Sequence, residues 1–546
     1  MNSSDSSPKE DPATDRAPKP SRKRVWLRRT AWSLVWVFTL VILASAVENW
    51  LGARALKVAV HQVLASGASM DPASVIPPSI PDEENFFSSP FFKPLFDTEQ
   101  VTDAGSIFGR KTVWRDPAGK ERLANLRVLV DGKGAKVVPN GSWRVGRFYD
   151  LREWQQRWRK AVQSEGSAEV GEPAAELLQA LAKLEPDLGA LRIAAQRPHA
   201  RAPLRYEDAF LMPIDHAGVL RKLGDALHWR VIAQLSIGDA AAAHRDLLLE
   251  LRLAESVDSE PALISRLVQI ATLDRCMEGL WEGLARHQWN DAQLASLDAA
   301  LGRFDQLAGI QRAFHGERVL YAGAAMDILK ERPELVNPLF TINQASGDPQ
   351  SPLQGPWLGA ALWIAKTCGP WSGIIDFNRA HMVGINLQTL ATVDPALHRV
   401  YPERLAALNA ELQVKAGPYN ANWILVRMVV PALGSVLERA ASAQATLDMA
   451  RCALAIERYR LRHGHLPQTL GELVPEFLPK VPGDVVSGDP LRYKAASDGT
   501  FLLYSVGGNG TDEGGEYREK PGATGRPLWT EGDWVWPQPS LQTPAP

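Results

Sequence analysis

The sequence predicts a mainly α protein carried on a single N-terminal transmembrane helix and finished by a small α+β unit. Three observations predict it. Thr30 to Val47 is an uncharged apolar run. The long middle of the chain carries apolar residues at helical spacing between short turns. Near the C-terminus that spacing gives way to two strand-like runs and an acidic Gly-rich loop. At 546 residues the chain is long for one core, so several domains are expected. The divisions read as a basic, disordered cytoplasmic tail (1–29), a membrane anchor (30–47), and a helix extension with a Pro/Phe-rich strap (48–104). A short β-rich segment (105–148), an irregular helical-hairpin, solenoid-like domain (149–440) and the α+β unit (441–546) follow.

The anchor holds 18 residues, at the short end of the roughly 17–25 that cross a bilayer. Eight Lys or Arg precede it, including Arg22-Lys23-Arg24 and Arg28-Arg29. Positive flanks stay in the cytoplasm, so the bulk of the chain is expected outside, in the periplasm of a bacterium with two membranes. Ala44-Ser45-Ala46 offers the competing reading of a cleaved signal peptide. Phe38-Thr39-Leu40 is not a prepilin start, because Val37 and Ile42 stand where Gly and Glu are required. Trp357–Cys368 contains Lys366, and Trp423–Leu437 contains Arg427 and Pro431, so both read as buried helices.

Trp50 to Ala65 keeps helical spacing and extends the anchor outward. Asp71 to Asp97 carries six prolines among paired Phe residues. Proline disfavours helix, and the Phe pairs predict a strap docked on the body. Asp131-Gly132 and Asn140-Gly141 predict turns between short strands. Within the helical domain, Gly238 ends one helix and Asp239 opens the next. Pro261 starts a helix over Ala262–Ala285, and Asn290 caps the one after. Trp229–Val257 reads as one tetratricopeptide-type hairpin, without a regular 34-residue repeat beside it. Pro338–Ser372, rich in Gly, Pro and Trp, reads as a long connection.

Composition and motifs exclude several functions. The balance of 60 basic and 62 acidic residues leaves no electrostatic footprint for nucleic acid. Cys276, Cys368 and Cys452 form no CxxC pair, which argues against a zinc site or a disulfide framework. Gly105–Thr112 is no phosphate loop, because Arg110 stands where the spacing requires Gly. No HExxH or G-x-S-x-G motif occurs among the 11 histidines. His315-Gly316-Glu317-Arg318 reads as a solvated or ion-paired helix face. No catalytic residue is nominated.

The C-terminal stretch is the most specific. Leu447, Ala450, Leu454 and Leu461 form an apolar stripe on a helix that ends at Gly464, and Glu457 can pair with Arg460. A short helix over Thr469–Val474 follows. Leu491–Ala495 and Thr500–Ser505 read as a hairpin turned at Ser497-Asp498-Gly499. Tyr459, Arg460, Leu461, Gly464 and Pro467, then Asp484, Gly488, Pro490 and Tyr493, then Tyr504, Ser505, Gly507, Gly510, Gly514 and Gly515 set a pattern. That pattern resembles the C-terminal domain of the major pseudopilin of type II secretion.

The resemblance covers about the last hundred residues and implies a calcium loop with Asn509, Asp512 and Asp533 as ligands. Asn509 stands where that family favours Asp, and about twenty residues separate Asp512 from Asp533. The alternative for the loop is a Gly-rich turn with solvated acids. Roughly 400 residues also stand between the anchor and this unit, unlike a pilus subunit. The whole pattern, with Pro81–Asn85 in the strap, resembles large membrane-anchored proteins of planctomycete and verrucomicrobial type, which carry no assigned activity. That family supplies an architecture and not a function; the expectation for this chain is a non-enzymatic membrane-anchored envelope scaffold or binding protein, accessory to a type II secretion or pilus-like system. The alternatives are a stand-alone helical binding module with a C-terminal cap, and a hydrolase of unfamiliar type.

Overall fold

A computed structural model describes residues 22–103, 110–124, 126, 142–162, 171–206, 208, 212–331, 369, 371–415, 420–519, 527 and 529–539. The expectations for residues 1–21, for the turns at Asp131-Gly132 and Asn140-Gly141, for Cys368, and for the connection from 338 through 368 lie outside these residues. The chain is mostly helical, 63% overall, with small sheets. Its α-helices are α1 (Arg22–Ala65), α2 (Lys93–Phe96), α3 (Pro117–Ala124), α4 (Leu151–Val162), α5 (Pro173–Leu181), α6 (Glu185–Ala195), α7 (Asp215–Ser236), α8 (Ala240–Glu255), α9 (Leu263–Ala285), α10 (Asp291–Leu301), α11 (Gln306–Gly316), α12 (Met326–Glu331), α13 (Trp371–Leu390), α14 (Pro402–Lys415) and α15 (Ile424–His463).

The expected anchor and its extension are one unbroken helix. α1 is long and apolar enough to cross a membrane, and its apolar side chains from Trp26 to Leu51 are largely exposed. Beyond that band α1 packs on α13. Gly52 and Gly373 let the two backbones meet: a Cβ at Gly52 would lie 2.5 Å from the Gly373 carbonyl oxygen. Asn49 spans the start of α13, donating to the Gly369 carbonyl at 2.6 Å and accepting from the Gly373 amide at 2.6 Å. Asn422 donates to Glu48 Oε1 at 2.8 Å. Further along, Ala59 and Val63 are buried against Ala380 and Val383.

The strap docks as the Phe pairs predict. Phe86, Phe87, Phe91 and Phe92 are buried in a core shared with α5 to α8. Asn85 holds the strap to the chain beyond α6. Its side-chain oxygen accepts from the amides of Phe87 (3.3 Å) and Arg201 (2.9 Å), and its NH2 donates to the Arg201 carbonyl (2.9 Å) and to Ser88 Oγ (3.1 Å). A reciprocal backbone pair, Phe86 to His199 and His199 to Glu84, completes the attachment. Next, β1 (Thr98–Thr102) and β2 (Arg110–Trp114) form an antiparallel hairpin with Thr98 opposite Trp114.

α7 and α8 form the expected hairpin. Gly238 takes a left-handed φ of 80° and Asp239 caps α8 through the Ala242 amide. Asn290 and Gln293 make a reciprocal capping box on α10. The face expected to be solvated or ion-paired is instead packed: Gly316 and Arg318 are buried, and His315 and Glu317 half-buried. Glu317 opens a π-helical stretch, Glu317–Ala325, and its carboxylate accepts the Leu263 amide at 3.1 Å, capping α9. A carboxylate there satisfies an orphan amide and complements the helix dipole. Arg318, 1% exposed, donates to the Ser69 carbonyl and to Asn386.

The α+β unit grows out of the helical body. α15 runs for 40 residues through the boundary expected at 440, and its middle lies in the same core as α9, α10 and α11. It ends at Gly464 with φ 78°. Leu447, Ala450 and Leu454 are buried as the stripe requires. Leu461 is 46% exposed, because the last turns of α15 extend past the packed body. The short helix appears as a 3-10 turn, Leu470–Leu473. β3 (Val393–Asp394) and β4 (Arg399–Val400) pair as a short antiparallel ladder between α13 and α14, and β5 (Arg492–Ala495), β6 (Phe501–Ser505) and β7 (Trp534–Trp536) form an antiparallel sheet in that order. β7 was not expected from the sequence, being three residues long. Trp281 of α9 donates to the Pro537 carbonyl at 2.8 Å and Trp143 packs on Trp536, welding this strand to the body.

Candidate functional site

Several residues that carry the pseudopilin resemblance have structural partners. Tyr459 donates its hydroxyl to Glu472 at 3.0 Å, and Tyr493 donates to the Pro467 carbonyl at 2.9 Å, tying the helix end to the sheet. Glu457 accepts from Arg460 as expected, and also contacts His287. Asp484 is buried and organises the approach to the loop. One oxygen accepts the Val486 and Ser487 amides, and the other accepts the Val506 amide at the end of β6.

The acidic loop joins β6 to β7. Gly507, Gly510, Gly514 and Gly515 all take positive φ, between 69° and 87°, which lets the loop reverse repeatedly. Asp512 faces outward. It accepts from Arg492 Nε at 3.3 Å, from the Tyr504 hydroxyl at 3.0 Å and from the Gly514 amide at 2.9 Å. The Gly514 amide, then the Tyr504 hydroxyl, hold its carboxylate below the usual range.

Asp533 faces inward and is 1% exposed. Its Oδ2 accepts the Gly515 amide at 2.6 Å, while Oδ1 is buried without a hydrogen-bond partner. Burial, with a further contribution from the neighbouring Glu513 charge, pushes its pKa up to about 6 against the pull of the Gly515 amide. Glu513 likewise buries an oxygen, Oε2, without a hydrogen-bond partner, and its Oε1 accepts from Asn509 Nδ2 at 2.6 Å. Asn509 Oδ1 caps the Thr511 amide at 3.1 Å.

The loop thus brings Asn509, Glu513 and Asp533 together, and turns Asp512 to Arg492. Glu513 is not legible in the sequence because side chains follow no fixed period through a glycine loop. The buried Asp533 carboxylate and the half-buried Glu513 carboxylate, each with a buried oxygen lacking a hydrogen-bond partner, form a donor set that fits a hard cation. Among the described residues no group of three or more His, Cys, Asp or Glu converges on one point. A cation here would rest on two carboxylates, the Asn509 amide turned to present its oxygen, and backbone carbonyls.

Cys276 and Cys452 are buried thiols, pushed upward in pKa by that burial. Comparison with protein-family models, with curated proteins and with solved structures finds no match.

Proposed function

We propose that this protein is a non-enzymatic, membrane-anchored scaffold of the bacterial envelope. Its tail lies in the cytoplasm, its single span in the inner membrane and its body in the periplasm. The observation that carries the reading is the join between anchor and body: α1 emerges from its exposed apolar band directly into the Gly52–Gly373 contact and the Asn49 bridge. An anchor seated in this way holds a body at a set orientation over the membrane. The basic flank at Arg28-Arg29 supports the assignment of sides.

In this reading the C-terminal unit presents a surface to protein partners, and a secretion or pilus-like machine is the first place to look. Calcium, held by Asn509, Glu513 and Asp533, would neutralise the paired carboxylates and stiffen the loop between β6 and β7. Cross-linking in intact cells, followed by purification of the tagged chain, tests the partner class. Enrichment of pseudopilins or their assembly proteins is expected. A chain recovered without them under secreting and non-secreting conditions would sink that assignment.

A second reading, a helical binding module with the C-terminal unit as its cap, draws on the continuity of α15. One helix is shared by both parts, and the sheet buries its aromatic residues against α9.

A further inference from the structure

Between α9, α15 and the segment entering β7 lies a cleft of about 400 Å³. That falls within the range of small-ligand sites. One side is aliphatic, with Leu267, Ile270 and Met277 of α9 and Leu447 of α15. The other is aromatic: Trp529 and Trp534, with ring centroids 5.5 Å apart and planes inclined at 43°. The polar groups on the wall are unevenly matched. Trp534 is 3% exposed, and its Nε1–H is buried without an acceptor. Ser442 and Thr446, four residues apart on α15, also line the cleft, and neither hydroxyl has a protein partner among the described residues.

The charges are uneven in the same direction. Arg144 is paired with Asp274 at 2.6 Å, and Arg275 with Asp225 at 3.2 Å. Glu438 also lines the cleft and is engaged in an interaction of its own, whereas Arg439 beside it is exposed, with no protein partner among the described residues. The wall therefore offers an aromatic face, an aliphatic face, unmatched donors and an unmatched cation. Its complement is an apolar group that brings acceptor oxygens and one negative charge.

We propose that this cleft binds an aromatic carboxylate about the size of one or two amino-acid residues. Its ring would pack along Trp529 and Trp534, and its oxygens would face Arg439 and the Ser442 and Thr446 hydroxyls. That chemistry belongs equally to a free aryl acid and to the C-terminal residue of a peptide ending in an aromatic side chain. The inference rests on reading the chain as a binding protein, and it names the ligand class. The acidic loop backs the same wall: a Cβ at Gly508 would lie 2.5 Å from the Trp529 ring, and Trp534 directly follows Asp533.

The test is calorimetric titration of the full chain in detergent micelles with chelator present. The probes are N-acetylphenylalanine, its uncharged amide, and a hexapeptide ending in phenylalanine with a free carboxylate. The acid is expected to bind saturably and the amide about tenfold more weakly. Arg439→Gln should cost the acid a similar factor without affecting the amide. Trp534→Phe, which shrinks the aromatic face, should weaken both. Tighter binding of the hexapeptide than of the acid would identify a peptide terminus as the source, and equal or weaker binding a free acid. Absence of saturable binding of either carboxylate at millimolar concentration would overturn the proposal, as would equal affinity for acid and amide. Membrane retention and partner capture, followed with the same tagged chain, separate a failed cleft from a failed scaffold.

Discussion

At the scale of single residues, the informative groups are acids whose burial opposes their charge. Asp533 has its pKa raised to about 6, so the folded chain holds a proton there that the unfolded chain has already lost. This raised pKa favours the folded state at low pH, and the advantage is lost as pH climbs from about 4 to 6. In chelator, Asp533→Asn should remove that component of the fall in melting temperature. Calcium should raise the melting temperature of the parent chain at pH 7.5, do so less at pH 5, and leave Asp533→Asn unmoved. A calcium effect independent of pH or of that substitution would remove the cation loop. Glu250 follows the same logic without a site around it. It is 1% exposed, burial raises its pKa to about 8, and its Oε1 has no hydrogen-bond partner. Its stability contribution falls between about pH 4.5 and 8. Glu250→Gln should therefore stabilise the chain at pH 8 by on the order of 1–3 kcal/mol and change little at pH 4. Denaturant melts at the two pH values check this.

At the scale of elements, the strap and the anchor are held by different means. The strap combines aromatic burial with the fourfold use of Asn85. Asn85→Ala should cost about 2–3 kcal/mol by stranding buried partners. It should also open the segment around Phe86 to limited proteolysis before the body unfolds. The anchor uses close backbone approach. Gly52→Leu would drive a side chain into the Gly373 carbonyl, and repacking of that kind costs about 1–3 kcal/mol. Hydrogen exchange should then rise along α13 first, and unchanged protection there would contradict the packing described. Much of this was legible in the sequence. Paired Phe residues between prolines announced docking, and Gly238-Asp239 and Asn290 announced their caps. The burial of Arg318 and half-burial of Glu317 were not legible, because a charged pair on a helix reads alike whether it faces water or an orphan amide of another helix.

At the scale of the whole molecule, local signals read well and long-range joins do not. The helix ending at Gly464 and the hairpin of β5 and β6 follow from nearby residues. β7, Trp536 and the weld to Trp281 depend on a strand roughly thirty residues further on, past the glycine loop. In the candidate site, Asn509 and Asp533 were legible through resemblance, whereas Glu513 needed the loop's path. The shared core has a measurable consequence. A fragment of residues 441–546 would leave Ala445, Met449 and Cys452 of α15 without the helices that bury them. It is expected to give the narrow proton dispersion of an unfolded chain. A well-dispersed spectrum from that fragment would show an independent domain.

The mooring at Asn49 and Gly52 also sets how this molecule can search. Fourteen helical residues, 52–65, carry α1 about 20 Å further at the usual rise per residue, alongside α13 for much of that distance. With α1 in a membrane, as proposed above, the body would have little freedom to tumble on a tether and would move chiefly by sliding within the plane of the bilayer. Partners at the matching height would meet it by two-dimensional diffusion, with one face already turned toward them. A free solute would instead have to come to an opening whose direction the inserted helix fixes.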